Sequence, residues 1–247
     1  LVDNGKYFFL SRPRRFGKSL FVDTLKQAFL GNKELFEGLY LEKNWDWSVK
    51  YPVIHIDFGG GFVKDQQDLK EWIIRQLKHH KLIYNLEVEE TNNIRFMFND
   101  LILNLYNTFK NPVVVLVDEY DKPILDNIEN TEKAIEIRDI LKDFYSVLKT
   151  AEPYLKFVFL TGVSRFSKVS IFSGLNQLQD ITISPNFATI CGYTQSELET
   201  VFADRLEGVD LEELKYWYNG YNWLGDKVYN PFDILLFFSE KIFRPFW

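Results

Sequence analysis

A single cysteine, Cys191, stands in a chain of 247 residues. That excludes an internal disulfide framework, leaves no cysteine-based metal site, and makes a reducing, cytoplasmic setting the default expectation. Basic charge is also short: 29 Lys and Arg face 35 Asp and Glu, for a net charge of −6. The surface as a whole therefore does not attract nucleic acid, although a local patch can. No apolar run approaches the roughly 20 residues needed to cross a bilayer, and no signal peptide is visible, so no membrane role is expected. Internal repeats and low-complexity linkers are absent too. Of the three histidines, His79 and His80 are adjacent and cannot share a helical face. They read as solvated polar residues rather than a metal pair. His55, between two isoleucines, reads as a core residue. The chain begins at Leu1 in mid-element and stops at Trp247 after an apolar segment, which reads as a fragment of a longer protein.

What is present fits a globular α/β protein. Hydrophobic residues at 46% and charged residues at 26% are ordinary for a folded chain, and 23 Phe and 13 Tyr promise a well-filled core. The length suits one large domain plus a small appendage.

The first informative stretch is Ser11-Arg12-Pro13-Arg14-Arg15-Phe16-Gly17-Lys18-Ser19. It follows an apolar run over 7–10 and precedes a helical pattern over 19–30 that faces inward through Leu20, Phe21, Leu25, Ala28 and Phe29. Strand, tight loop, Gly-Lys-Ser and helix together are the context of a phosphate-binding loop. Backbone N–H groups of Arg14, Arg15, Phe16, Gly17, Lys18, Ser19 and Leu20 can converge on an anion that the helix dipole favours. Lys18 adds a mobile positive charge, and the Ser19 hydroxyl can reach a Mg²⁺. The general pattern asks for Gly where this chain has Arg12, and Pro13 pushes Arg12 toward extended backbone. The loop is therefore expected to enter by another path.

Downstream, a short helix fits 33–41. A strand over 53–58 ends in three glycines, with Asp57 near its end, where ligands of open parallel sheets gather. Helices fit 65–85 and 94–110. Val113-Val114-Val115-Leu116-Val117 then reads as a strand buried on both faces, followed by Asp118 and Glu119. This is the spelling of a Walker B strand, with Asp118 supporting Mg²⁺ and Glu119 activating the attacking water. Asp121 lies close enough to serve as a reserve acid, but reads first as a surface residue. A helix over 132–151 buries Ile135, Ile140, Leu141, Phe144 and Leu148. A third buried strand over 155–162 ends at Thr161, the candidate sensor of the γ-phosphate, with Arg165 just beyond as a candidate source of transition-state charge. A weaker strand fits 178–183. From about residue 190 only short helices follow, one opened by the capping box Thr194-Gln195-Ser196-Glu197 and another by Asn230-Pro231. The resulting division is a core over 1–189 and a small helical lid or adaptor over 190–247.

The segment from Phe9 to Leu20 closely resembles the phosphate loop of the AAA-ATPase-like family, proteins often fused to a C-terminal PD-(D/E)XK-type nuclease domain. Val117-Asp118-Glu119-Tyr120-Asp121, Leu160-Thr161-Gly162-Val163-Ser164-Arg165-Phe166, and Trp217-Tyr218-Asn219-Gly220-Tyr221 with Tyr229-Asn230-Pro231 match further family patterns. The Arg-Pro-Arg-Arg spelling of the loop is usual in that family. The resemblance covers nearly the whole chain. It implies an ASCE-type P-loop core, a mostly parallel sheet flanked by helices, whose strand spacing differs by one from that of kinases. It further implies ATP and Mg²⁺ as cofactors, an attached or partner nuclease, and a DNA-linked role for the parent protein. The nuclease is not found here: Glu213-Leu214-Lys215 spells part of its motif, but on an expected helix. Alternatives are a nucleotide-gated interaction module and a DNA-backbone binder using Arg12, Arg14, Arg15 and Lys18. Partner and oligomeric state are not legible.

Overall fold

The computed structural model describes residues 1–87, 91–165, 171–172 and 175–246. Phe166, the last residue of the third family pattern, lies outside them. Strands β1 (Tyr7–Ser11), β2 (Val53–Asp57), β3 (Val113–Asp118), β4 (Leu155–Gly162) and β5 (Gln179–Asp180) form one sheet in the order β2-β3-β4-β1-β5. Every pairing is parallel. The connections therefore cross over the faces, which helices cover: α1 (Lys18–Leu30), α2 (Tyr40–Asn44), α3 (Gln66–Ile83), α4 (Ile94–Phe109), α5 (Lys122–Leu125) and α6 (Thr131–Thr150). β4 thus lies between β1 and β3, an order no local pattern reveals.

Alternation along the strands sends side chains to two cores. Tyr7, Phe9, Val113, Val115, Val117, Val158 and Leu160 join the side chains of α3, α4 and α6 on one face. Phe8, Leu10, Val114, Leu116, Phe157 and Phe159 meet Val22, Leu25 and Phe29 of α1 on the other. A third cluster gathers Leu198, Leu214, Tyr218, Tyr229, Ile234 and Phe237. It comes from α7 (Gln195–Val201), α8 (Leu211–Tyr218), α9 (Pro231–Glu240) and, through Tyr229, the segment that leads into α9. The expected capping box at Thr194 and the Asn230 cap with Pro231 following are both present. Glu213 and Lys215 lie on helix α8. Among the described residues no helix is long and apolar enough to cross a membrane.

Several local readings change. Residues 33–41 do not make one helix: a 3₁₀ turn at Lys33–Phe36 is separated from α2 by Gly38, at φ 75°. On α1, Leu20 is exposed and Val22 is buried. On α6, Ile135 is exposed and Ile137 is buried, because the inward stripe runs through 137, 141, 144 and 148. β5 is two residues long. His80 is buried rather than solvated, and its Nε2 lies 2.8 Å from His55 O and 3.1 Å from His55 N. Asp121 is buried, not a surface acid: its Oδ2 accepts from the N–H groups of Val163 (3.0 Å) and Ser164 (2.6 Å).

That last contact belongs to an interlock between the turns after β3 and β4. Tyr120 N–H donates to Thr161 O (2.9 Å), and Tyr120 Oη donates to Ser164 O (3.1 Å). Gly162 sits under them. A Cβ there would lie 2.5 Å from Tyr120 Cε1 and 2.6 Å from Asp121 Oδ1. Gly162→Ala is therefore expected to destabilise the chain by about 1–3 kcal/mol through overpacking, read as a lowered denaturant midpoint at unchanged slope.

Candidate functional site

Parallel strands bring all their C-terminal ends to one rim, and the polar residues singled out above collect there. Register aligns Leu10 with Thr161, Val117 with Leu160, and Asp57 with Asp118. The chain leaves β1 at Ser11, whose N–H donates to Thr182 Oγ1 (2.9 Å) and whose hydroxyl donates to Val163 O (3.0 Å). Arg12 continues in extended pairing, its N–H on Gly162 O at 3.2 Å. The loop then turns through positive φ at Arg15 (141°) and Gly17 (84°).

Helix α1 starts without a side-chain cap and with no acid in its first turn. Its first internal bond is Phe21 N–H to Gly17 O (2.9 Å). The N–H groups of Lys18, Ser19 and Leu20 precede that bond and, among the described residues, have no backbone partner, as at any helix start. Among the described residues, its chain neighbours aside, nothing lies within 4 Å of where a Cβ on Gly17 would stand. An open, uncapped N-terminus of this kind suits an anion. Lys18 is buried, with Nζ on Pro13 O at 3.0 Å. Burial pulls its pKa below the ordinary lysine value, and Asp118 and Glu119 pull it back up. The two carboxylates thus favour the charged form of the amine. Ser19, Leu20 and Arg14 are exposed, whereas Phe16 is buried.

Asp118 is buried, and its Oδ1 accepts from Thr161 Oγ1 and from Glu119 N–H. Glu119 turns off the strand at φ 53° and stays half-buried. Its pKa is raised, first by burial and then by Asp118 and Asp57. Gly59 explains the approach of the third acid, since a Cβ there would lie 2.9 Å from Asp57 Oδ1 and 3.1 Å from Glu119 Oε2. If Glu119 works as a base, its raised pKa sets the acidic limb of the rate profile. Asp57→Asn removes one neighbouring negative charge, lowers the Glu119 pKa, and is expected to move that limb to lower pH. A pH series of phosphate release measures the displacement.

No group of three or more His, Cys, Asp or Glu among the described residues is arranged to hold a metal alone. A nucleotide-borne Mg²⁺ asks less, one or two protein ligands beside phosphate and water. The Ser19 hydroxyl and Asp118 fit that demand. Asp118 Oδ1 is engaged by two donors, and no hydrogen bond reaches its Oδ2 among the described residues. Arg165 is directed elsewhere: Nε and Nη2 meet Asp180 Oδ2 on β5 at 3.0 and 2.7 Å, and the side chain is half-exposed.

A family model described as "Predicted AAA-ATPase" matches residues 1–172. The chain belongs to this AAA-ATPase-like family. A curated relative, "Uncharacterized protein in vnfD 5'region" of Azotobacter chroococcum mcd 1, is 50% identical over 247 residues, covering 100% of this chain and 48% of that protein. This AAA-ATPase-like chain thus spans about half the relative's length. Two solved structures are similar at 16% identity. Cdc6p from Pyrobaculum aerophilum has a TM-score of 0.39 over 81% of this chain and 42% of that one. The Aeropyrum pernix ORC2 protein, described as ADPNP-ADP complexes, has a TM-score of 0.41 over 82% and 46%.

Sequence reasoning missed Asp121 as the clamp of the β4 turn. It also missed the contacts of the loop with distant aromatics: Arg12 with Trp223, Arg15 with Phe232, and Phe16 with Tyr221 and Trp223. Asp57 had a signal, its place at the end of a buried strand. The aromatic contacts had none, since more than 200 residues separate the partners.

Proposed function

We propose that this chain binds Mg²⁺–ATP at the rim formed by β1, β3 and β4 and hydrolyses it. The observation that carries the reading is the uncapped start of α1 straight after β1, beside a register that brings the ends of β1, β4 and β3 level, Leu10 with Thr161 and Leu160 with Val117, so that Thr161 meets Asp118. In this reading the N–H groups of Arg14, Arg15, Phe16, Gly17, Lys18, Ser19 and Leu20 cradle the phosphates, and Lys18 contacts the outer ones. Ser19 and Asp118 hold Mg²⁺, which when bound neutralises charge on the phosphate oxygens. Glu119 orients and deprotonates the attacking water. Thr161, fixed on Asp118, reads the γ-phosphate. Arg165 supplies positive charge after leaving Asp180. No Asn-Lys-x-Asp guanine reader occurs in the sequence, which favours adenine.

Residues 1–189 act as the ATPase core and 190–247 as a helical lid or adaptor that couples nucleotide state to an attached or partner domain. A nuclease partner, a DNA-linked role for the whole protein and a cytoplasmic location rest on the family resemblance. A second reading is a nucleotide-gated module with little turnover. The packing of Phe16 on Tyr221 and Trp223 favours it, because it ties the loop to the C-terminal segment. The DNA-backbone reading loses Arg12, whose three guanidinium nitrogens are all spent on carbonyls. Binding titration beside steady-state phosphate release separates the readings. Binding with release supports the ATPase, binding without release supports the gated module, and no binding removes both.

A further inference from the structure

The phosphate loop is held from outside by residues 182–232, all beyond the matched range 1–172. Arg12 Nη1 donates to Ser11 O (3.0 Å) and Thr182 O (2.8 Å), Nη2 to Phe187 O (3.1 Å) and Nε to Ile190 O (3.2 Å). These bonds use the edge of the guanidinium. Its flat face lies on Trp223, with Cζ 3.9 Å from the ring centroid. Burial lowers the Arg12 pKa to about 10, still well above neutrality, so the group keeps its charge.

Four residues on, Phe16 is 1% exposed. Its ring meets Tyr221 edge-on (4.6 Å, 78°) and Trp223 edge-on (5.3 Å, 85°). Tyr221 and Trp223 are stacked on each other at 5.9 Å and 17°. This aromatic platform is itself anchored. Tyr221 O accepts from Val228 N–H (3.0 Å), and the turn between them closes through Asn222 Nδ2 on Gly225 O (2.7 Å). Gly225 approaches Ala188 so closely that a Cβ would lie 2.5 Å from the alanine methyl. The platform is therefore packed on the segment that supplies two of the Arg12 acceptors.

We propose that Trp223 is a positioning residue for the phosphate loop, acting through Arg12 and Phe16. The inference rests on the nucleotide reading above. The loop carries a non-glycine residue, Arg15, at φ 141° beside Gly17 at φ 84°. Such backbone persists only where surrounding contacts determine it. Trp223 supplies them on both sides of Pro13-Arg14-Arg15: it caps the face of Arg12 and walls in Phe16. Without it, the N–H groups of Lys18, Ser19 and Leu20 are no longer preset, and nucleotide must order the loop as it binds, at a loss of affinity.

The test compares Trp223→Ala, Trp223→Phe and Arg12→Lys in the full chain. The readouts are titration with a non-hydrolysable ATP analogue and Mg²⁺, and thermal melting without nucleotide. Trp223→Ala is expected to weaken binding about tenfold, the order of a desolvated cation–π contact. Trp223→Phe keeps a face for Arg12 and is expected to recover most of the affinity. Arg12→Lys lacks the planar fork and is expected to reproduce the loss with Trp223 intact. Wild-type affinity in Trp223→Ala, or a Phe variant as weak as the Ala variant at equal melting temperature, overturns the proposal. If Trp223→Ala does not fold, Arg12→Lys decides: a loss of affinity with Trp223 intact supports the proposal, and wild-type affinity in that variant overturns it. A wild-type chain that binds while Trp223→Ala binds equally well defeats only this inference. A wild-type chain that does not bind defeats the nucleotide reading and this inference together.

Discussion

Glu119→Gln is expected to bind ATP as the unaltered chain does and to release phosphate about 100- to 10,000-fold more slowly, the span of general-base effects. Glu119 follows a fully buried strand and turns out of it at φ 53°. Its carboxylate crowds Gly59 next to Asp57. Burial, Asp118 and Asp57 together raise its pKa, which makes its carboxylate a stronger base than a solvated glutamate. Glutamine has the same shape and accepts no proton. The substitution also relieves repulsion among three acids, so the fold is expected to hold and nucleotide affinity is not expected to fall. Phosphate release and a titration on the same preparation separate the two effects. Comparable turnover in this variant would remove Glu119 from its assigned role.

Lys18→Ala is expected to weaken ATP binding at least about 100-fold, the scale of a lost preorganised charge contact to phosphate. Lys18 is 7% exposed, and its amine is bonded to Pro13 O. Acidic groups, Asp118 and Glu119 first, favour its charged form. Removing it subtracts the attraction for the outer phosphates and leaves the carboxylates to repel them. The Pro13 carbonyl loses its partner as well, so circular dichroism and thermal melting are needed beside the titration. A folded Lys18→Ala chain with unaltered affinity would show that the loop does not hold phosphate.

Much of the fold was legible, for physical reasons that differ by element. β3 announced itself because a central parallel strand is dry on both faces and must be apolar throughout, as Val113 to Val117 are. The helix α9 was marked by Asn230 and Pro231, since capping chemistry is local. Helix faces were less legible. Ile135 and Leu20 are apolar enough to suggest burial, yet they point outward, because neighbouring positions already fill the inward stripe. Asp121 and His80 look like surface residues by type. Each is buried because a distant backbone offers partners: Val163 and Ser164 for Asp121, His55 for His80.

By itself the sequence determined the alternation of strands and helices, the composition of the basic loop and the acidic pair, and the family to which they belong. Those properties depend on neighbours within a few residues, where hydrophobic period, turn residues and caps act. Only the tertiary structure decided that β4 lies between β1 and β3, that Asp57 joins Glu119, and that Arg12 faces Trp223 instead of solvent. Such pairings join parts of the chain far apart in sequence, and they form when crossover connections and packing bring the strand ends to a common rim.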